Sequence, residues 1–218
     1  MIFMFLAGTN FVLSYFAFKG RFAKIFNDEE FKLYASFIAV LTLVTAVFIY
    51  LQADVAASTI AHPMVFGALE SAVRHGLFQV LAVITTTGFV SADFTAWTPL
   101  LTIIFFGLMF LGGSAGSTAG GIKVVRHLIM IKNGVLEFKR TLHPNAVLPV
   151  RYNNRSVHQS IVFNVLGFFI LYMLSFIVGV LVFSLLGLDF QTALGGAAST
   201  LGNVGPEFGA LGPVHTYH

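Results

Sequence analysis

The chain has 218 residues, 57% of them hydrophobic and only 10% charged, with 25 Phe and a mean hydropathy of +0.87. Soluble globular domains carry about 25% charged residues, so this composition excludes an ordinary water-soluble domain and places the chain among membrane proteins. Cys is absent, which excludes disulfides, a thiolate nucleophile and Cys-ligated metal; the net charge of +3 matters less than where it sits.

In chain order the first apolar segment is Met1–Phe18, uncharged and followed by Lys19, Arg21 and Lys24. A cleaved signal carries its positive charge before the apolar stretch, so this order predicts a membrane span with its N-terminus outside. A natural protein seldom opens this way, and further residues upstream are expected. Leu33–Leu51, Phe94–Ile122 and Ser160–Leu188 are also long enough, at about 20 residues or more, to cross a bilayer. Between them, Val65–Ile84 is apolar but carries Glu70, Arg74 and His75, and Phe190–Leu201 is too short and too rich in small residues to span.

Eleven of the twelve Lys and Arg residues fall in Lys19–Lys32 and Lys123–Arg155. The positive-inside rule puts both clusters in the cytoplasm, so the chain crosses an even number of times between them. Leu33–Leu51 and Phe94–Ile122 supply two crossings. Val65–Ile84 must then dip in and return, as a re-entrant helix ending at Thr85. The same arithmetic makes Phe190–Leu201 a second re-entrant helix. Asp54, Asp93, Asp189 and Glu207 then lie outside, where they attract cations. The fold expected is an all-α integral membrane protein of repeated units, each an outer helix, a re-entrant pore helix with a filter loop, and an inner helix. Residues 1–31 would be the inner helix of a preceding repeat with a cytoplasmic linker, 32–141 a complete repeat, and 142–218 a partial one.

Both re-entrant segments end in Thr- and Gly-rich runs: Thr85-Thr86-Thr87-Gly88-Phe89 and Ser199-Thr200-Leu201-Gly202-Asn203-Val204-Gly205-Pro206. Extended backbone at membrane depth is tolerated where it lines a water-filled path, and its carbonyls can replace the water around a potassium ion. Glycine allows successive carbonyls to aim one way, and the negative end of the half-helix dipole favours a cation there. The alternative is that both are ordinary connecting loops. Gly112-Gly113-Ser114-Ala115-Gly116-Ser117-Thr118-Ala119-Gly120-Gly121 interrupts an inner span. It is not a phosphate-binding loop, because Gly121 is followed by Ile122 instead of Lys. Its glycines fit small-residue helix packing, or a break in which Ser114, Ser117 and Thr118 satisfy freed backbone groups under a gate. Five glycines in one helix would cost about 1 kcal/mol each against Ala, which favours the break.

Glu70 and Arg74 stand one turn apart and are expected to pair and brace the pore helix. His75 is expected to be a satisfied buried histidine, while His62, Pro63, His215 and His218 are too sparse for a metal site. Three functions from different classes remain: an ion-conducting subunit, a non-conducting assembly subunit, and a membrane enzyme, for which only Glu70, Arg74 and His75 offer intramembrane chemistry.

The run Leu77-Phe78-Gln79-Val80-Leu81-Ala82-Val83-Ile84-Thr85-Thr86-Thr87-Gly88-Phe89 resembles the third pore loop of the Trk/Ktr/HKT superfamily of potassium transporters, the bacterial Trk membrane subunit in particular. Gly112–Lys123 is similar to that family's intramembrane gating loop, Leu201–Pro206 to its fourth filter, and Phe5–Arg21 to the inner helix of its second repeat. The resemblance implies four repeats around one pore in the cell's inner (plasma) membrane, with K+ as the transported ion and no organic cofactor or nucleic acid. Gly88 and Gly205 would be the filter glycines, with Thr86, Thr87, Asn203 and Val204 supplying neighbouring carbonyls. Glycine at both places implies potassium over sodium. The resemblance also implies a homodimer in the lipid bilayer and a cytosolic nucleotide-binding regulatory subunit, for which Lys123–Arg155 is the natural docking surface. A first repeat, a second filter and a final inner helix with its basic residue are missing, so this chain would supply two of four filter strands.

Overall fold

Asp28 sets the start of a long helix. Its Oδ1 accepts from the Phe31 N–H at 2.8 Å, and Glu29 and Glu30 fill the first turn, where negative charge meets the positive helix end. In this computed structural model, which describes residues 1–52, 67–143, 146–209 and 212, the helix so started runs Glu29–Gln52. It is the fourth helix described, after α1 (Ile2–Ala7), α2 (Phe11–Phe18) and α3 (Phe22–Asn27). There follow α5 (Ala68–Ile84), α6 (Pro99–Leu108), α7 (Val124–Leu142), α8 (Gln159–Leu185) and α9 (Phe190–Gly202). Asp54, His62, Pro63, His215 and His218 lie outside the described residues.

Two of these helices, α4 with 24 residues and α8 with 27, are long and apolar enough to cross a membrane. By contrast α5 has 17 residues and α9 has 13. At 1.5 Å per residue they reach about 26 and 20 Å, short of a hydrocarbon core of about 30 Å. The second short helix, α9, follows a turn and has a capped start. Gly187, at φ +87°, closes α8 in the left-handed conformation, and the Asp189 side chain then caps α9 by accepting from the Thr192 N–H at 3.3 Å. The Thr192 hydroxyl and amide hold the Asp189 carboxyl below the usual carboxylate range, so this exposed acid stays charged at neutral pH.

α4 lies along α5, and Tyr34, Ile38 and Ile49 of α4 join Ala72, Val80 and Ile84 of α5 in one buried cluster. Aromatic rings tie this half to the other. Phe208, beyond α9, meets Phe94 at 5.5 Å and Phe106 at 6.1 Å, and Phe110 meets Phe176 of α8 at 5.1 Å. Such edge-to-face pairs add about 0.5–1.5 kcal/mol beyond the area they bury. Much of α8, including Phe163, Ile170, Leu174 and Leu181, stays exposed, as an apolar helix surrounded by lipid or by further helices requires.

Two expected spans are not continuous helices. Met1–Phe18 is broken into α1 and α2 at Gly8–Asn10, where the Asn10 side chain caps α2 through the Val12 N–H at 2.8 Å. Asn is a strong N-cap residue, and a capped start inside an apolar run overrides the hydropathy signal. Phe94–Ile122 is helical only over Pro99–Leu108, with Thr98 as N-cap and Pro99 in the first turn. A short hairpin also interrupts the all-helical expectation. β1 (Arg151–Tyr152) pairs antiparallel with β2 (Arg155–Ser156) around Asn153 and Asn154, at φ +47° and +63°. Two left-handed residues in a two-residue loop match the twist of a hairpin, and Asn tolerates that conformation.

Candidate ion-conduction site

The two short helices end in the same way. After α5, Thr86 is left-handed at φ +51°, its N–H donates to the Val83 carbonyl at 3.1 Å, and Thr87 N–H donates to Ala82 at 3.0 Å. After α9, Asn203 is left-handed at φ +56°, its N–H donates to Thr200 at 3.3 Å, and Val204 N–H donates to Ser199 at 2.9 Å. This is one helix-ending motif used twice. It puts Thr86 with Asn203, Thr87 with Val204, and Gly88 with Gly205 at matching positions. Gly88 (φ +70°) and Gly205 (φ +108°) are both left-handed, where a side chain is strained. Each helix end closes in a tight turn, at Thr85–Thr86 and at Asn203, because it must satisfy its own last carbonyls before the chain can leave.

The two ends also touch. A Cβ added at Gly88 would lie 2.5 Å from the Val204 carbonyl oxygen, and one at Gly205 would lie 3.6 Å from the Gly88 Cα. Behind them, the Ser199 hydroxyl accepts from the Gly205 N–H at 2.9 Å, and Thr85 and Thr87 hydroxyls meet at 3.2 Å. Gln79 holds the chain that leaves the first turn, donating to the Ala92 carbonyl at 3.2 Å and accepting from the Ser91 N–H at 3.3 Å. The buried His75 meets the Ser91 hydroxyl through Nδ1 at 3.1 Å. Glu70 and Arg74 form their i,i+4 ion pair at the start of α5. Glu207 is packed against the second short helix. It is 3% exposed, with Oε2 against Gly196 of α9, because the chain folds back under that helix after the second turn.

Residues 112–121 carry no helix, which rules out helix–helix packing as the reason for their glycines. The loop is pinched at its base. Leu111 and Ile122 form a parallel bridge, Gly112 N–H donates to Ile122 at 2.8 Å, and Val124 N–H donates to Gly113 at 3.1 Å. Gly112 lies directly against the Gly120 carbonyl, so no side chain fits there. One side of the loop rests on the break in the first helix. Ser114 N–H donates to Gly8 at 2.8 Å, Thr118 donates to Ala7 through N–H at 3.2 Å and hydroxyl at 3.1 Å, and Phe11 N–H donates to Gly116 at 3.2 Å. The other side rests on both helix-ending turns. Gly120 N–H donates to Thr86 Oγ1 at 2.7 Å, and a Cβ on Gly120 would meet the Gly202 carbonyl oxygen at 2.5 Å.

The polar residues divide the work differently from expectation. Thr118 does bond freed backbone, but the buried Ser114 hydroxyl has no hydrogen bond among the described residues, and the Ser117 carbonyl accepts from Lys123 Nζ at 3.3 Å. Glu30, which carries no motif in the sequence, bonds the loop. Its Oε1 accepts from Ala115 N–H at 2.6 Å and from Val125 N–H at 3.2 Å. Its signal was a run of three acids, Asp28, Glu29 and Glu30, within a basic cluster. The basic residues after the loop are also engaged within the chain. Lys123 folds back onto the Ala119 carbonyl, the Arg126 guanidinium lies 3.5 Å from the Phe168 ring centre, and Lys132 pairs with Glu29 at 2.7 Å.

The TrkH family of cation transport proteins matches residues 1–216. The chain belongs to this family. The Trk system potassium uptake protein TrkH of Escherichia coli (strain K12) is 32% identical over 211 residues, covering 96% of this chain and 41% of that protein. TrkH of Vibrio parahaemolyticus is 34% identical, covering 97% of this chain and 42% of its own length. The crystal structure of the potassium transporter TrkH from Vibrio parahaemolyticus superposes with a TM-score of 0.83 at 30% identity, over 96% of this chain and 43% of that one. The chain thus spans about two fifths of the length of the curated relatives it matches. It is a membrane-embedded, helical member of a transport family, and the membrane-enzyme alternative falls, since the relatives are named as transport proteins.

Within this TrkH-family chain, Thr86 joins the turn after α5 to the loop. Thr86→Val keeps the shape but leaves the Gly120 N–H without its acceptor, while Thr86→Ser keeps the acceptor. The valine variant is expected to lose about 1–3 kcal/mol, the penalty for a buried donor left unmade. Thermal unfolding of the purified protein in detergent should show a lowered midpoint for valine and a near-parental one for serine.

Proposed function

We propose that this chain conducts potassium across the cell's inner membrane, with Thr86, Thr87, Gly88, Asn203, Val204 and Gly205 forming two strands of a four-strand selectivity filter. The observation that carries this reading is the convergence of two matching helix ends, Gly88 on Val204 and Gly205 on Gly88. Both helices point their negative C-terminal ends at that junction, which favours a cation. Carbonyls held by a tight turn cannot relax to follow a smaller ion, and this favours potassium over sodium. Residues 112–121, seated on Gly202 and Thr86, act as the gate. The remaining filter strands come from repeats outside this sequence, and the assembly is a homodimer regulated by a cytosolic nucleotide-binding subunit. Since Lys123, Arg126 and Lys132 are bound within the chain, that subunit docks on the remaining basic groups, Lys139, Arg151 and Arg155 among them.

Uptake tests the reading. In cells lacking other potassium systems, Gly205→Ser in the complete transporter should lower potassium uptake and reduce the preference for potassium over sodium in competition. Serine at φ +108° must twist the turn and re-aim the Val204 carbonyl. Parental uptake with parental ion preference would reject the filter.

A further inference from the structure

Glu30 is 2% exposed, and a carboxylate is costly to bury unless its oxygens are bonded. Here a single atom, Oε1, receives the Ala115 N–H of the loop and the Val125 N–H in the first turn of α7. Hydrogen bonds to a charged acceptor are roughly twice as strong as neutral ones. The side chain itself stands in the first turn of α4, so three elements meet at one carboxylate. Lys123 lies close enough to act on its charge, and the Tyr152 hydroxyl of the hairpin faces it.

The neighbouring acids fix the same junction from the other side. Glu29 pairs with Lys132 of α7 at 2.7 Å and accepts from the Asn153 N–H at 2.9 Å, while Asp28 Oδ2 accepts from the Asn153 side chain at 2.7 Å. Lys132 also donates to the Arg151 carbonyl at 2.9 Å. The hairpin and α7 are therefore locked to the start of α4 by Glu29 and Asp28. Glu30 alone among these three acids reaches the loop. A shift of α7 along α4 must strain both Val125 and Ala115 at the same oxygen.

We propose that Glu30 is a positioning residue that latches the 112–121 loop against the filter and couples it to α7, so that displacement of α7 releases the loop. This rests on the gate reading above. Its own observable is separate: access to the loop, which does not require ion flux. Because the chain has no Cys, Ala115→Cys provides a half-buried reporter at the latched position.

The reporter is placed in the complete transporter, with any cysteines elsewhere replaced, and labelled with a small thiol reagent. Glu30→Ala should raise the labelling rate about tenfold, the change that follows from weakening the closed state by about 1.4 kcal/mol. Glu30→Gln keeps an oxygen at Oε1 and should label within about twofold of the parent, since a neutral acceptor still satisfies both amides. Glu30→Asp is one methylene shorter, cannot reach both amides, and should fall between. It also serves if the alanine variant does not fold. Flux measured without the regulatory subunit should rise in the same order. Labelling at the parental rate in folded Glu30→Ala or Glu30→Asp, even with a lowered unfolding midpoint, overturns the latch. Faster labelling with unchanged flux supports the latch and counts against the gate.

Discussion

Gly88→Ala in the complete transporter is expected to cut potassium uptake at least about tenfold, whereas Gly107→Ala leaves it near the parental rate. A Cβ at Gly88 would stand 2.5 Å from the Val204 carbonyl oxygen, and the atom it meets is backbone, which has little room to yield. The position is also left-handed at φ +70°, which costs a non-glycine residue roughly 1–2 kcal/mol. Either the first turn or the second must move, and both would carry carbonyls facing one ion. A change of about 1.4 kcal/mol in barrier height is a tenfold change in rate. Gly107, in the last turn of α6, has open space where its Cβ would go. Gly179 is a poorer control, because its Cβ would lie 3.3 Å from Ala197 of α9. Uptake of a potassium tracer by cells lacking other potassium systems, with protein amounts matched, decides the matter. Equal uptake by the two variants would remove Gly88 from the filter.

Deleting Ala115–Ala119 should raise flux about tenfold and weaken its dependence on the cytosolic partner. The deletion removes the Ala115 bond to Glu30, both Thr118 bonds to Ala7, and the carbonyls that Lys123 grips. What remains is too short to rest on the helix break and reach Thr86 together. With several bonds gone at about 1 kcal/mol each, the closed state loses more than the 1.4 kcal/mol that tenfold opening requires. A regulator acts by binding one state better than the other, so a loop that no longer has a stable closed state leaves it nothing to shift. If the deleted protein folds, and flux and regulation match the parent, the segment is packing and gates nothing.

The parts of this site that were legible in the sequence are those fixed by neighbouring residues. Thr85–Phe89 and Ser199–Pro206 stand out because a half-helix that must end at membrane depth needs a left-handed residue and a glycine within a few positions. The same holds for the 112–121 segment, where five glycines cannot remain helical. The long apolar helices α4 and α8 are legible for a similar reason, since hydropathy over about 20 residues is a sum that no single contact can reverse. By contrast, Asn10 looked like one polar residue in an apolar span, and Gln79 like one in an apolar pore helix. Their roles appear only once the chain places the loop beside the first and residues 91–92 beside the second.

Composition, charge order and two glycine-containing helix ends thus determined by themselves that this chain is a membrane protein with paired short helices. Each is a local or summed property of the chain. Tertiary structure alone decided that the two ends meet and that the loop sits on the break at Gly8–Asn10. It also decided that Glu30, 85 residues before Ala115, accepts that loop's Ala115 N–H. A carboxylate's partner at that separation is set by how α4, α7 and the loop pack, and a backbone amide that receives it carries no mark in the sequence.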